Sequence, residues 1–376
     1  MKWEYKTLDQ LGTVSRGKSK HRPRNDPKLF GGKYPFIQTA DVKNADYYIT
    51  KYSDTYNESG LAQSKLWDKG TLCITIAANI ADTGVLAFPA CFPDSIMGFV
   101  PFEGVANTRF IKYCFDRLQR DCKQISQGTA QDNLSWEKLS TIKFCIPEYK
   151  EQCRIADILS AYDDLIENNQ KQIKLLEEAA QRLYKEWFLD LRFPGHENTK
   201  IVDGVPEGWS RGLLKELISV NYGKDHKKAP DDGNIPVYGS GGLMRKCNKS
   251  LFSGEAVLIP RKGSLNNIMY VDETFWTVDT MFYATMKQPH TAVFVYFFVK
   301  AFDMYSMNIG AAVPSMTTKI LDAMDVVIPD KETLEKFDKL TKTYFNKIKT
   351  LQGQNERLKT ARNLLLPKLM SGEVEV

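Results

Sequence analysis

Apolar residues recur at a strict four-three spacing in two long stretches of the chain. Such spacing, kept for more than four heptads, is typical of the a and d positions of a coiled coil. Both stretches follow a proline, Pro147 and Pro329, which suits a helix start. We therefore predict a central heptad helix at residues 149–190 and a distal heptad helix at residues 329–376, which Pro367 kinks or stops near its end. The predicted seam positions are Ile155, Leu159, Tyr162, Ile166, Asn169, Ile173, Leu176, Ala180, Leu183 and Trp187, then Phe337, Thr341, Tyr344, Ile348, Leu351, Asn355, Leu358, Arg362, Leu365 and Leu369.

Polar residues interrupt both seams. Asn169 lies in the first, and Thr341, Asn355 and Arg362 lie in the second. Buried polar seam residues set register and partner choice at a cost in stability. Antiparallel pairing within the chain would place one folded domain at each end of a rod about 50 Å long. Two alternatives stay open: the helices belong to separate bundles, or they pair in a parallel homodimer.

The chain also repeats itself outside these helices. The pattern W-x4-L-x2-L-x2-V-x2-G begins at Trp3 and again at Trp209, an offset of 206 residues. A second match at an offset of 182 joins Gly128 to Gly310 and continues without a gap into the heptad helices. The order of parts is therefore a folded domain, a long helix, a second folded domain and a second long helix.

The two folded domains have the pattern of mixed, strand-rich structure. Residues 1–148 and 207–328 form these domains, and residues 191–206, rich in Pro, Gly and polar residues, form a linker. The predicted fold class is α+β: two mixed α/β domains separated by two long antiparallel coiled-coil helices, with a pseudo-twofold internal repeat. Predicted strands are Thr71–Ala77, Val85–Phe88, Met97–Phe102 and Thr141–Ile146, then Ala256–Ile259, Ile268–Val271, Phe275–Val278, Met281–Thr285 and Asp325–Ile328. Predicted short helices are Thr108–Arg120, Ala292–Ala301, one after Ser135 and one near Ser315–Leu321.

Composition narrows the class of protein. The chain has 376 residues, of which 43% are hydrophobic and 26% charged, as in ordinary soluble proteins. It contains no run of 18 apolar residues and no signal-peptide pattern at its start, so we expect a cytosolic protein. Seven cysteines with no C-x2-C pair favour reduced, buried thiols. A net charge of +5 is modest for a nucleic-acid-binding protein, so a partner is expected to supply further positive surface.

Catalytic patterns are absent from the sequence. It has no phosphate-binding glycine loop, no dinucleotide fingerprint and no methyltransferase or nuclease signature that we can identify. The four histidines have no metal-ligand spacing. Adjacent carboxylates such as Asp163 and Asp164 lie on the heptad helices, where we expect solvated faces. The sequence therefore predicts neither a catalytic site nor a metal site.

The strongest candidate site is a basic loop that occurs in both copies. After the repeated glycine, Gly17 or Gly223, each copy continues with cationic residues. Such loops suit contacts with DNA phosphates, and a solvated surface loop is the alternative. The candidate side chains are Arg16, Lys18, Lys20, Arg22 and Arg24 in the first copy and Lys224, Lys227 and Lys228 in the second. At the 206 offset Lys18 matches Lys224 and Arg22 matches Lys228.

Two further sets are candidates for DNA contact. Gln127 and Gln131 flank the glycine loop that begins the second match, and amide side chains pair well with adenine. That loop could instead cap the short helix that follows. The pairs Arg245–Lys246 and Arg261–Lys262 exist only in the second copy. Two domains that read different sequences should share a framework and differ in such side chains.

The whole chain resembles the specificity subunits of type I restriction-modification systems. The resemblance rests on the order of parts and on several stretches that are typical of that family. They are Gly204-Val205-Pro206-Glu207-Gly208-Trp209, Gly310-Ala311-Ala312-Val313-Pro314-Ser315 and Leu364-Leu365-Leu366-Pro367-Lys368-Leu369-Met370-Ser371-Gly372. The glycine loop departs from an exact repeat, because the first copy has Gln131 where the second has Val313-Pro314.

The resemblance implies a non-catalytic subunit with two target-recognition domains, each reading one half of a bipartite double-stranded DNA site. The helices would fix the spacer between the halves. The implied partners are adenine-methyltransferase subunits and ATP-dependent restriction subunits in the cytoplasm, in a phage-defence complex. S-adenosylmethionine and Mg-ATP would be bound by those partners, and the target adenine would be flipped out of the duplex. We expect exposed helix faces, including Trp187 and Phe188, to dock the partners.

Two other classes of protein are alternatives. A single-chain nuclease with a divergent site would cleave DNA alone in the presence of metal. A coiled-coil scaffold would bind only protein, and reversing the charge of the basic loops would leave any DNA activity unchanged.

Overall fold

The computed structural model describes residues 3–76, 82–125, 136–307 and 315–376 of an α+β chain with two compact units. Unit 1 consists of Met1–Asn169 and Gly353–Val376, and unit 2 consists of Gln170–Gln352. The division falls inside both long helices, so each helix contributes one half to each unit.

Unit 1 is built on a five-stranded sheet. Its strands are β1 (Glu4–Lys6), β2 (Gly12–Arg16), β3 (Phe30–Phe36), β4 (Tyr48–Ile49), β5 (Asp54–Tyr56), β6 (Leu72–Thr75), β7 (Thr83–Leu86), β8 (Ile96–Pro101) and β9 (Phe144–Ile146). Its short helices are α1 (Leu8–Leu11), α2 (Thr39–Lys43), α3 (Glu58–Ala62), α4 (Thr108–Ile125) and α5 (Trp136–Thr141). The sheet order is β2-β8-β6-β7-β4, while β1 pairs with β9 and β3 with β5. Every residue of β6 and β7 is buried, and α4 adds the fully buried Phe110 and Phe115 to the same core.

The long helix α6 (Tyr149–Tyr184) follows unit 1's last strand and ends in a π-helical turn at Lys185–Leu189. Unit 2 then contains β10 (Ile201–Val202), β11 (Val205–Pro206), β12 (Ser210–Leu213), β13 (Ile218–Tyr222), β14 (Ile235–Gly239), β15 (Gly242–Cys247), β16 (Phe252–Pro260), β17 (Met269–Thr277), β18 (Met281–Met286) and β19 (Asp325–Ile328). Its helices are α7 (Ala292–Lys300) and α8 (Thr318–Asp322), and α9 (Lys331–Ser371) is the second long helix. The six-stranded sheet has the order β13-β18-β16-β17-β14-β15.

The same strand pairing recurs in both units. The order β2-β8-β6-β7 in unit 1 corresponds to β13-β18-β16-β17 in unit 2. At the domain border Glu4 pairs with Ile146, and Ser210 pairs with Ile328. The first members of these pairs differ by 206 residues and the second members by 182, so one pair of strands joins the two offsets seen in the sequence.

The sheet centre follows a third offset, of 185 residues, which the sequence analysis missed. Trp67 bridges Ala90 in unit 1, and Phe252 pairs with Phe275 in unit 2. The N–H of Gly17 donates to the carbonyl of Ile96 (2.9 Å), as that of Gly223 does to Met281 (3.0 Å). Most side chains differ at this offset, because a buried sheet constrains apolar character and leaves residue identity free.

Two predicted segments differ from the structure. Ile268–Val271 and Phe275–Val278 are parts of one strand, β17, because the polar residues between them occupy its solvent face; there Thr274 shares a 2.7 Å hydrogen bond with Ser253 of β16. The 191–206 linker contains the antiparallel pair β10–β11.

The turn of that hairpin, Asp203-Gly204, has positive φ at both residues (51° and 73°). An Asp-Gly pair in this conformation is a strong hairpin signal, which the sequence analysis passed over.

Pro367 does not stop the distal helix, which continues to Ser371. A proline inside a helix leaves the carbonyl four residues earlier without its usual donor. Here the Arg120 guanidinium donates to that carbonyl, on Asn363, at 2.9 Å. Arg117 donates to the carbonyl of Met370 (2.7 Å) in the last turn. Two arginines of α4 therefore satisfy carbonyls that the sequence would leave open.

All twenty predicted seam positions are buried or partly buried. In unit 1 the Asn169 side chain donates to the Asn355 side chain at 2.9 Å, and Arg362 forms an ion pair with Asp163. The solvated position predicted for Asp163 is therefore wrong: its carboxylate is buried between α4, α6 and α9, where Tyr113 also donates to it at 2.6 Å.

The prediction that Trp187 and Phe188 are exposed is also wrong. Trp187 is only 5% exposed and its ring lies 5.8 Å from that of Phe337. Phe188 packs edge-on against Phe294 and Phe337, with both centroid distances 4.8 Å. The π-helical turn places both rings in the core of unit 2, so they are not a docking surface.

Candidate nucleic-acid interface

The first basic loop leaves β2 at Arg16 and is held by its backbone. A side chain at Gly17 would place its Cβ 2.3 Å from the carbonyl oxygen of Phe92, so only glycine fits. The Gln63 side-chain oxygen accepts the N–H groups of Lys20 (2.6 Å) and His21 (3.0 Å). Because the anchoring is to main-chain groups, the cationic side chains point away from these bonds and are exposed.

The five cations of this loop divide into two groups. Arg22 donates to the carbonyls of Ser19 (2.7 Å) and His21 (2.8 Å), and Arg24 pairs with Asp94 at 2.8 Å. Arg16, Lys18 and Lys20 are exposed and form no ion pair with any residue in the described ranges. These three side chains are therefore available for phosphate contacts.

The second basic loop begins in the same way and then diverges. Gly223 is again in close contact with backbone, since a Cβ there would lie 2.0 Å from the carbonyl oxygen of Val278. Lys224 follows, exposed, and its N–H donates to Thr277 (2.9 Å). Asp225 then caps a 3-10 turn at His226–Lys228 by accepting from the N–H of Lys227 (3.0 Å).

The matching turn in unit 1 lies further along the chain. There Asp26 caps the turn Pro27–Leu29 by accepting from the N–H of Lys28, also at 3.0 Å. That bond, with the His21 side chain, lowers the pKa of Asp26. The first loop therefore has extra residues before the turn, and the match of Arg22 with Lys228 is wrong. Lys227 is exposed, and the side chain of Lys228 lies outside the described part of the chain.

Arg245 and Lys246 of β15 have different surroundings. The Arg245 guanidinium forms an ion pair with Asp231 and donates to the carbonyls of His226 and Ala229, the latter at 2.7 Å. These bonds tie the second basic loop to β15, so Arg245 has a structural role in unit 2. Lys246 is exposed on the same strand.

Arg261 and Lys262 begin a loop that follows β16 and meets the end of β13. The Arg261 guanidinium lies 5.5 Å from the ring centroid of Tyr222, a contact typical of a cation–π pair. The Arg261 N–H donates to Thr280 (2.8 Å), on the same turn that receives Lys224. The structure thus brings Lys224, Arg261 and Lys262 to one end of the unit 2 sheet. None of the three forms an ion pair with a residue that the structure describes.

Tyr222 is a residue that the sequence analysis did not select. Its signal was present, because it directly precedes the repeated Gly223 and is an exposed aromatic beside basic residues. Gln127 and Gln131, and the matching residues 308–314, lie outside the described residues. Ser315, directly after them, bridges Lys262.

The described ranges contain no group of three or more His, Cys, Asp or Glu residues placed to hold a metal ion. Over the same ranges, no helix combines the length and apolar character that a bilayer crossing requires. The exposed chemistry of these loops is cationic and aromatic, which suits nucleic-acid binding.

Comparison with known families decides the classification. The sequence model of the type I restriction modification DNA specificity domain matches residues 1–178 and 206–360. The chain belongs to this family. The match covers both copies of the repeat.

Relatives across the family have similar length and architecture. The chain is 26% identical to the type I restriction enzyme MjaIX specificity subunit of Methanocaldococcus jannaschii, over 100% of this chain and 94% of that protein. It is 23% identical to the HindI specificity subunit of Haemophilus influenzae, over 64% of this chain and 71% of that protein. Among solved structures, the type I restriction-modification S subunit from M. genitalium has the same fold, with a TM-score of 0.61 at 18% identity over 98% of this chain and 96% of that one.

Proposed function

We propose that this protein is the DNA-specificity subunit of a type I restriction-modification complex, in which each unit reads one half of a bipartite site. The observation that carries the proposal is one strand framework, present twice, that ends in basic loops with different exposed side chains. A shared framework positions both loops in the same way, while different side chains allow two different half-sites to be read.

Phosphate contacts would come from the unpaired cations. They are Arg16, Lys18 and Lys20 in unit 1 and Lys224, Lys227 and Lys262 in unit 2. Six such contacts give moderate, salt-sensitive affinity. With a net charge of only +5, the chain depends on partner subunits for the remaining positive surface.

The long helices would form an antiparallel coiled coil that sets the unspecified spacer. In unit 1, Asp163 contacts Arg362, and Asn169, six residues later, contacts Asn355, seven residues earlier. In unit 2, Tyr184 packs near Phe337, with centroids 6.4 Å apart. Partner numbers that fall along α9 as they rise along α6 support antiparallel pairing and a pseudo-twofold arrangement.

The partners would be adenine-methyltransferase subunits and ATP-dependent restriction subunits in the cytoplasm. S-adenosylmethionine and Mg-ATP would be bound by those subunits, and this chain would perform no chemistry itself. Exposed leucines offer apolar docking positions in place of Trp187 and Phe188. They are Leu165 and Leu175 on α6 and Leu340 and Leu364 on α9.

The test is to co-express the chain with the methyltransferase subunit encoded beside it and to map methylated adenines in the host DNA. The proposal predicts a split motif with a gap of constant length. A contiguous motif, or no methylation despite a stable complex, would contradict it and favour the scaffold alternative. Metal-dependent cleavage by the purified chain alone would favour the nuclease alternative.

A further inference from the structure

One aromatic–cation pair in unit 2 stands where a reading side chain is needed. Tyr222 ends β13 and pairs with Phe282 of β18, while Arg261 begins the loop after β16. The guanidinium lies 5.5 Å from the Tyr222 ring centroid, and the ring itself packs edge-on against Phe282 at 5.0 Å. The sheet therefore supports the tyrosine, and the tyrosine supports the arginine.

Both side chains are available to a ligand. Tyr222 is 54% exposed, and Arg261 is partly exposed. The one hydrogen bond from the Arg261 guanidinium goes to the carbonyl of Asp279 and is long, at 3.5 Å. The four remaining N–H donors of its fork have no acceptor among the described residues, so they can bind an acceptor pair on a ligand.

The loop that carries Arg261 is fixed at several points. Leu265 is fully buried, and the Asn267 side chain donates to the carbonyl of Ser240 at 2.8 Å. The Tyr305 hydroxyl donates to Gly263 (3.0 Å) and accepts from the N–H of Leu265 (3.3 Å). A loop held in this way loses little conformational entropy when it binds.

We propose that Tyr222 and Arg261 form the base-reading pair of unit 2 and that the base they select is guanine. The inference rests on the proposed function and adds the residues and the base. A guanidinium donates in bidentate fashion to O6 and N7 of guanine, and stacking on a ring restricts the fork to one orientation. Lys224 and Lys262, on either side, contact phosphates and set the position of the pair.

The same two backbone positions in unit 1 hold different residues. Ile76 donates its N–H to Ser95 (3.0 Å) as Arg261 does to Thr280, and Arg16 pairs with Met97 as Tyr222 pairs with Phe282. Ile76 is buried, so unit 1 has no aromatic–arginine pair at this site. Loss of Arg261 should therefore change one half-site only.

The experiment is adenine-methylation mapping of host DNA with the co-expressed complex carrying Arg261→Ala. We expect one guanine position in one half-site to become degenerate, with discrimination there falling by about 5- to 150-fold, the equivalent of about 1–3 kcal/mol. The other half-site and the gap length should stay unchanged. Tyr222→Ala should relax the same position, and Tyr222→Phe should keep it. Lys262→Ala, the matched control, should reduce methylation of every site equally.

The outcomes separate this inference from the proposed function. If Arg261→Ala lowers methylation at all sites and leaves every base preference unchanged, Arg261 is a phosphate contact and the inference is wrong. In that case a split motif from the unmodified complex leaves the proposed function intact. Should Arg261→Ala fail to assemble, Tyr222→Ala and Arg261→Lys are decisive, because a reading pair requires both to relax the same position in the assembled complex. Unchanged specificity in both would overturn the inference.

Discussion

The buried pair of Asp163 and Arg362 explains a charged residue in a predicted seam. Arg362 occupies an a/d position of α9 and binds the carboxylate of Asp163, which also accepts from Tyr113 (2.6 Å). The heptad pattern predicted that Arg362 is buried. It could not predict the partner, because Asp163 lies next to a seam position and becomes buried only when α4 packs over it. Burial raises the pKa of Asp163, against the opposing effects of Arg362 and Tyr113.

Removing Arg362 should make stability depend on pH. In Arg362→Met the buried carboxylate loses its cation, so its folded-state pKa rises further above the unfolded value near 3.8. A raised folded pKa penalises the folded state above the unfolded pKa, and the penalty fades as pH falls toward that value. We expect a loss of about 3–5 kcal/mol at pH 7 and a smaller loss at pH 4.5, both relative to the unmodified chain. Denaturant unfolding at the two pH values measures this.

The double variant Asp163→Leu with Arg362→Met is the control. It removes both charges, so most of the stability should return and the added pH dependence should disappear. An equal loss for Arg362→Met at both pH values would contradict this account of the pair.

At the scale of elements, periodic segments were predictable and irregular ones were not. Both long helices, all twenty seam positions and the short helices α4 and α7 follow from spacing, because burial on one face dictates that spacing. The β10–β11 hairpin was missed, since its signal is a two-residue turn rather than a period. The continuation of α9 through Pro367 depends on Arg120, which is distant in sequence and therefore invisible to local patterns.

The Asn169–Asn355 pair should trade stability for a unique register. Asn355→Leu leaves the Asn169 amide buried without its partner, at a cost of about 1–3 kcal/mol. Asn169→Leu with Asn355→Leu should restore or raise the thermal stability, because two matched leucines replace two amides. The double variant should, however, lose its single register and form mixed oligomers or methylate sites with more than one gap length.

Unfolding curves and gap lengths of the methylated sites measure the two effects. An equally unstable double variant would contradict the assignment of this pair as a register device.

At the scale of the whole molecule, repeated borders predicted the two-domain plan, but not the reading residues. Trp3 and Trp209 mark equivalent positions because both copies need the same framework there. The sheet centre shares topology at an offset of 185 with little shared identity, and positions such as Ile76 and Arg261 differ. Variation is expected where half-sites differ, so self-comparison of the sequence fails at the very positions that carry specificity.

Lengthening both long helices should lengthen the gap in the recognised site. Three heptads added to each, after Asn169 and before Gly353, extend a coiled coil by about 31 Å, or about nine base pairs. This is close to one turn of B-DNA, so both readers would stay near the same face of the duplex. Methylation mapping should show the same half-sites with the longer gap. An unchanged gap would mean that the helices do not set the spacer.

Exchange of one reading unit tests the central claim most directly. Residues 1–148 are replaced by the corresponding domain of a specificity subunit with a known, different half-site, and the hybrid is co-expressed with the methyltransferase subunit. Base-resolution mapping of methylated adenines should then show one half-site replaced, the other retained and the gap nearly constant. A change in both half-sites, or in neither, from a hybrid that assembles would contradict the account of two independent readers on one framework.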